Sequence, residues 1–264
     1  MLVRPPAVAG SFYPAERGEL RGMVMKLLAD AHSTQAYVDP PAAIIVPHAG
    51  YIYSGSTAAL GYSHVSGFSH VVIYGPTHRV GIHGIALPGA DAFATPLGKV
   101  PLWAEGVAAA ESLEKVEIAP QVHEHEHSLE VQLPFIQQVL PDADILPLAV
   151  GWVEPGVVAE VIAALAGPDV LTVISSDLSH YLSYDDARDL DRSTITQILQ
   201  LDPSLDHEQA CGATPVNGML LAAEELGLAP VLYGANNSGD TAGDKRRVVG
   251  YSSFGFYPPE NAYK

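Results

Sequence analysis

Only one cysteine, Cys211, occurs in the 264 residues, so an intramolecular disulfide framework cannot form. That pattern suits a reducing compartment. No apolar run approaches the length needed to cross a bilayer, and residues 1–6 lack the basic-then-apolar order of a secretory signal. A cytoplasmic protein without membrane association is therefore expected. Charge is scarce and mostly of one sign: 16% of residues are charged, with 13 Lys and Arg against 30 Asp and Glu, for a net charge of −17. So acidic a chain is repelled by phosphate backbones, which argues against nucleic acid as a partner. The run Lys245-Arg246-Arg247 is too short to reverse that. The sequence also lacks a Gly-x-Ser-x-Gly elbow, a P-loop and a Gly-x-Gly-x-x-Gly fingerprint. Serine hydrolase, nucleotide-binding and NAD-dependent readings lose their support.

What the sequence does have is apolar residues, 48% of the total, gathered in short β-branched runs. Residues 42–46, 71–74, 145–150 and 170–175 read as strands buried on both faces, and 246–256 as a last strand. Between them lie segments of helical period. Residues 16–31 put Leu20, Val24, Leu27 and Leu28 on one face, and 129–140 carry Leu133, Ile136 and Leu140, with Ser128 as a candidate N-cap. Residues 156–166 and 184–199 follow, and 215–226 end at Gly227, suited to a helix C-terminus. The alternation predicts one α/β domain over residues 1–264, a central, largely parallel or mixed sheet flanked by helices. Residues 81–101 read as an inserted hairpin or loop.

Open α/β sheets bind ligands beyond the carboxyl ends of their strands. Three strand runs here are followed by a histidine: Pro47-His48-Ala49-Gly50-Tyr51, Gly75-Pro76-Thr77-His78-Arg79, and Ser175-Ser176-Asp177-Leu178-Ser179-His180. A neutral imidazole is the commonest transition-metal ligand, and loops at strand ends can bring several together. Three histidines in equivalent positions point to a pocket for a divalent metal rather than to three unrelated turn residues. In His123-Glu124-His125-Glu126-His127-Ser128-Leu129-Glu130, His123 and His125 read as solvated, whereas His127 and Glu130 begin a helix that can face the pocket. Asn236 to Asp244 reads as a turn-rich loop whose carboxylates can complete a metal site. Cys211 reads as a lone buried thiol rather than a nucleophile.

These residues also carry a resemblance. Ala9-Gly10-Ser11-Phe12-Tyr13-Pro14, the histidine motifs above, Glu126 to Glu130, Ala210-Cys211-Gly212, Asn237-Ser238-Gly239-Asp240 and Val248-Val249-Gly250-Tyr251 make the chain, nearly end to end, similar to the Memo family. Bacterial and archaeal members are called AmmeMemoRadiSam system protein B. The resemblance implies a fold like that of the class III extradiol dioxygenases, in which two histidines and a carboxylate hold Fe(II). It makes His48 and His78 metal ligands, His180 an acid/base histidine, and Asp177 and His127 pocket residues. It sets Phe12, Tyr51, Arg79 and Asn237 around a bound ligand. The dioxygenases use a Glu as third ligand and the human Memo protein has a Cys near that place. Here Asp240 is the candidate, on a Gly-flanked turn, so weak ring cleavage is expected. Fe(II) is the implied metal, with copper or zinc as alternatives. A second implied function is a non-catalytic binding module for a small anion, a peptide or a partner protein. The family's association with AMMECR1-like and radical-SAM proteins makes those candidate partners.

Overall fold

The computed structural model describes residues 1–32 and 39–258. In chain order these form β1 (Val3–Arg4), α1 (Arg17–His32), β2 (Ala43–Val46), α2 (Tyr51–Tyr62), β3 (His70–Pro76), β4 (Ile85–Leu87), β5 (Ala92–Thr95) and β6 (Gly98–Pro101). Then come α3 (Ala104–Glu111), β7 (Val116–Ile118), α4 (Pro120–His123), a 3-10 turn (Glu130–Gln132), α5 (Leu133–Val139), β8 (Asp144–Val150), α6 (Pro155–Leu165) and β9 (Val170–Ser175). The chain continues through β10 (His180–Leu182), α7 (Tyr184–Leu199), α8 (Ala213–Leu226), β11 (Ala229–Asn237), α9 (Ser238–Thr241) and β12 (Val248–Tyr257).

The main sheet has the order β10-β12-β2-β9-β3-β8-β4-β7, with β11 also on β12. Its centre, β2-β9-β3-β8, is parallel, and β12 and β4 join that centre antiparallel. The sheet is therefore mixed around a parallel middle. β2 and β9 are buried at every position, because helices cover both faces and leave no solvent side to demand alternation. The period of two survives in what each side chain touches. Ile44, Val46, Val71 and Ile73 pack with Leu20, Val24 and Tyr62 of α1 and α2. Ala43, Ile45, Val72 and Tyr74 pack with Val161, Ile162 and Leu220 of α6 and α8 on the other face. Each such aliphatic side chain contributes about 1.5–3 kcal/mol by leaving water. No helix of the described residues is long and apolar enough to cross a membrane.

The expected elements are present with shifted ends. The predicted helix 129–140 begins as the 3-10 turn, with Pro134 in the first turn of α5 where its missing N–H costs nothing. Ser128 does not cap it; its hydroxyl donates to Pro76 O. Gly227 ends α8 at φ 66°, a left-handed backbone that glycine adopts freely. Residues 81–101 hold β4, an integral strand, and the β5–β6 hairpin of a small sheet with β1. The order β2-β9-β3 sets the three histidine-bearing loops side by side at one edge.

Candidate metal centre

β2 ends at Val46; after Pro47 the next backbone N–H, that of His48, donates to Asp177 Oδ1 at 2.8 Å. Asp177 lies on the exit from β9, so the two loops are tied together. The His48 ring is buried, and its Nδ1 lies 2.9 Å from Ser175 Oγ. That hydroxyl gives its proton to Ser128 O and accepts from Gln132 Nε2. A hydroxyl has one proton to give, so toward His48 it accepts. Nδ1 of His48 therefore carries the hydrogen, and the lone pair is on Nε2.

His78 is fixed the same way by a different group. Its Nδ1 lies 2.9 Å from Glu126 Oε1 and its backbone N–H donates to Glu126 Oε2. Oε1 also accepts from the backbone N–H groups of His127 and Ser128. Burial opposes charge on Glu126, but the hydrogen bonds from His78 and the backbone N–H of Ser128 outweigh it and hold the carboxyl well below its ordinary range. An ionised carboxylate accepting Nδ1–H leaves His78 Nε2 as the free ligand atom, the carboxylate–histidine arrangement typical of metal sites.

The third group is Cys211. Its Sγ lies 3.3 Å from His48 Nε2, and one ligand atom each from His48, His78 and Cys211 all lie within 4.8 Å of one another. Ligands of one ion, at about 2.0–2.3 Å from it, are themselves about 3–4.5 Å apart, so the set fits a single ion. Burial, then the nearby Asp177 charge, pushes the thiol far above its ordinary range. Such a thiol is inert as a nucleophile and ionises when a cation binds it. Gly212 makes the approach possible: a Cβ there would sit 2.7 Å from both Cβ and Oγ of Ser176, whose hydroxyl accepts the Gly212 N–H.

His127 stands beside the pair, its ring centroid 4.5 Å from His78, 5.4 Å from His48 and 4.6 Å from Phe12. His78, Glu126 and His127 form a second cluster of possible ligands. The carboxylate of that cluster is already saturated by four N–H donors, and His127 Nδ1, 3.3 Å from Glu126 Oε1, makes no aligned hydrogen bond to it. Glu126 is thus a support for His78. Burial above all lowers the histidine pKa values, His48 to about 3 and His127 to about 4. Both rings are neutral at pH 7, the state in which imidazole binds metal.

Beside the cluster opens a cavity of about 530 Å³ lined by His48, His78, His127, Asp177 and His180, with Phe12, Tyr53, Tyr181, Arg247 and Tyr251 among the remaining walls. Burial raises the Asp177 carboxyl, while backbone donors from His48 and Ala49 oppose that shift. His180 reaches the cavity and belongs to neither ligand cluster.

Several sequence expectations need correction. Asp240 joins neither cluster: it accepts from Tyr184 Oη at 2.6 Å and from the Asn237 backbone N–H, closing a capping box on α9. Asn237 is buried and its side chain caps Gly239 N. Tyr51 is core beneath the site, donating to Val131 O. Arg79 is exposed and absent from the cavity wall, where Arg247 stands instead. Glu130 is buried away from the cavity, paired with Arg4 and accepting from the Ala7 and Val8 N–H groups and Tyr13 Oη. His123 is buried rather than solvated, its Nε2 bonded to Ala86 O. The residues that sequence reasoning undervalued are Cys211 and Glu126. The motif Ala210-Cys211-Gly212 was the available signal for the first.

Fold and site together define an α/β protein with a two-histidine, one-cysteine candidate metal centre at the carboxyl end of a parallel sheet core. The chain belongs to the Memo-like protein family, whose pattern matches residues 4–255. A MEMO1 family protein of Aquifex aeolicus is 37% identical over 95% of this chain and 98% of its own length. Those of Archaeoglobus fulgidus and Ignicoccus hospitalis are each 34% identical, over 96% and 98% of this chain and 99% and 100% of their own. Among solved structures, the uncharacterized protein JW3007 from Escherichia coli K12 shares the fold, with a TM-score of 0.52 at 13% identity, over 80% of this chain and 98% of that one.

Proposed function

We propose that this Memo-like protein binds one transition-metal ion through His48, His78 and Cys211 and acts on a small organic molecule in the adjoining cavity, as an oxygenase-type metalloenzyme. The observation that carries this reading is the double fixing of tautomers. Ser175 and Glu126 each take the Nδ1 hydrogen of one histidine, so both Nε2 lone pairs are free for the cluster that Cys211 completes. Two imidazoles and a thiolate suit iron, copper or zinc, and Fe(II) is what the dioxygenase resemblance favours. Iron or copper held there would supply a Lewis-acidic, redox-capable centre, and zinc a Lewis acid alone.

The chain's own groups would do the rest. Phe12, Tyr53 and Tyr251 give aromatic walls that stack a planar ring and exclude water. His180, free of ligand duty, is placed to take a proton from a substrate hydroxyl and return it to a product oxygen. Asp177 holds the His48 loop through its carboxylate, which accepts the backbone N–H of His48. The test is oxygen consumption by anaerobically purified, Fe(II)-loaded protein with a panel of catechols and phenols. The proposal predicts consumption above that of free iron, lost in His180→Gln with metal content unchanged. Tight metal binding with no consumption by any compound would instead support a binding module built on the same site.

A further inference from the structure

We infer that the cavity selects a small planar molecule bearing a carboxylate, and that Arg247 at its edge is the specificity-determining residue. This rests on the reading of the cavity as a substrate site. Arg247 is the one Lys or Arg among the described lining residues. Four other cations are paired with carboxylates: Arg4 with Glu130, Lys26 with Asp30, Arg192 with Asp189 and Arg246 with Asp244. Among the described residues no carboxylate lies within 4.0 Å of Arg247. Its partner is the ring of Tyr181, 5.1 Å from the guanidinium carbon to the centroid.

A guanidinium over an aromatic face is oriented without being neutralised, and its planar N–H fork remains available to an incoming anion. Tyr181 holds this platform at a cost. Its φ is 60°, a left-handed conformation that costs a non-glycine residue about 1–3 kcal/mol and that clusters at functional sites. The same residue sets its ring 5.9 Å from that of His180. The cavity therefore has two poles. Among its walls His48 and Asp177 are buried, whereas Arg247, a cation without a carboxylate partner in a chain of net charge −17, is exposed. A planar molecule with an oxygen donor at one end and an anion at the other matches both poles. One fork pairs bidentately with one carboxylate. A phosphate dianion would call on further cations, and the nearby Arg188 and Lys245 instead face the ring of Tyr184.

Calorimetric titration of the full chain with 4-hydroxybenzoate, 4-hydroxybenzamide and 4-hydroxyphenyl phosphate tests this. The amide has the shape of the carboxylate without its charge. The parent is expected to bind the carboxylate about tenfold or more tightly than the amide, the range of one charge-assisted pair, and more tightly than the phosphate. Arg247→Gln is expected to erase that preference while keeping the far-ultraviolet dichroism of the parent, and Arg79→Gln to retain it. A preference that survives in Arg247→Gln, a phosphate that binds as tightly as the carboxylate, or no binding of the carboxylate would each overturn the inference. Metal content measured on the same samples separates the two readings. An Arg247-dependent preference in protein that binds no metal would sink the metal proposal alone, and metal without preference would sink this one alone.

Discussion

Glu126→Gln is the sharpest perturbation of the supporting shell. The wild-type carboxylate takes four N–H donors: two from His78 and one each from His127 and Ser128. An amide keeps one acceptor oxygen. Placed on the Oε1 side, that oxygen still receives three donors, but the new NH₂ then faces the backbone N–H of His78, donor against donor. Leaving a buried donor unmet costs about 1–3 kcal/mol, and His78 also loses the negative charge behind its ring. Supporting groups of this kind change metal affinity by about 10–100-fold. A competition titration against a chromophoric chelator should therefore show metal binding weakened within that range, and urea unfolding of the metal-free chain should show a loss of about 1–3 kcal/mol. Unchanged affinity, within about twofold, would refute the assignment of Glu126 as the group that orients His78.

Acid is predicted to destabilise the metal-free protein. Burial lowers the folded-state values of His48, His123 and His127 to about 3, 4 and 4 from an ordinary 6.5. The unfolded chain thus binds more protons between those limits, so stability is full above about pH 6.5 and falls as pH drops toward 4. Each histidine contributes up to about 1.4 kcal/mol per pH unit, and urea unfolding at pH 6.5 and 5 that gave equal stabilities would contradict this. Gly212→Ala should cost about 1–3 kcal/mol by overpacking against Ser176 and weaken metal binding by displacing Cys211; a chelator titration with parental affinity would show that the close approach is dispensable.

The sheet was legible because β2, β3, β8 and β9 are short apolar runs bounded by polar turns, and His48, His78 and His180 were legible because each follows such a run. α2 escaped notice because its small residues, Gly55 and Gly61 among them, weaken helical periodicity. Gly61 is needed for packing: a Cβ there would sit 2.6 Å from Val46 Cγ1. β11 escaped because Pro230 and Gly234 argue against a strand, yet it pairs with β12 alone, where proline is tolerated. For Cys211 the motif Ala210-Cys211-Gly212 was the one signal, and it did not point to His48, 163 positions away in sequence. Asp240 misled in the opposite way. Asn237 and Asp240 have the three-residue spacing of a capping box, and that local role, rather than ligation, is what the carboxylate performs. Glu126 sat in a string of alternating His and Glu where period alone cannot tell a buried support from a solvated loop.

The central claim is that His48, His78 and Cys211 hold one ion. It is tested most directly by anaerobic titration with Co(II), following absorbance for thiolate-to-metal charge transfer. The account predicts that the band saturates at one equivalent per chain, disappears in Cys211→Ser, and persists in Asp240→Ala with unchanged stoichiometry. Saturation without a thiolate band, or loss of binding in Asp240→Ala while Cys211→Ser binds normally, would contradict it.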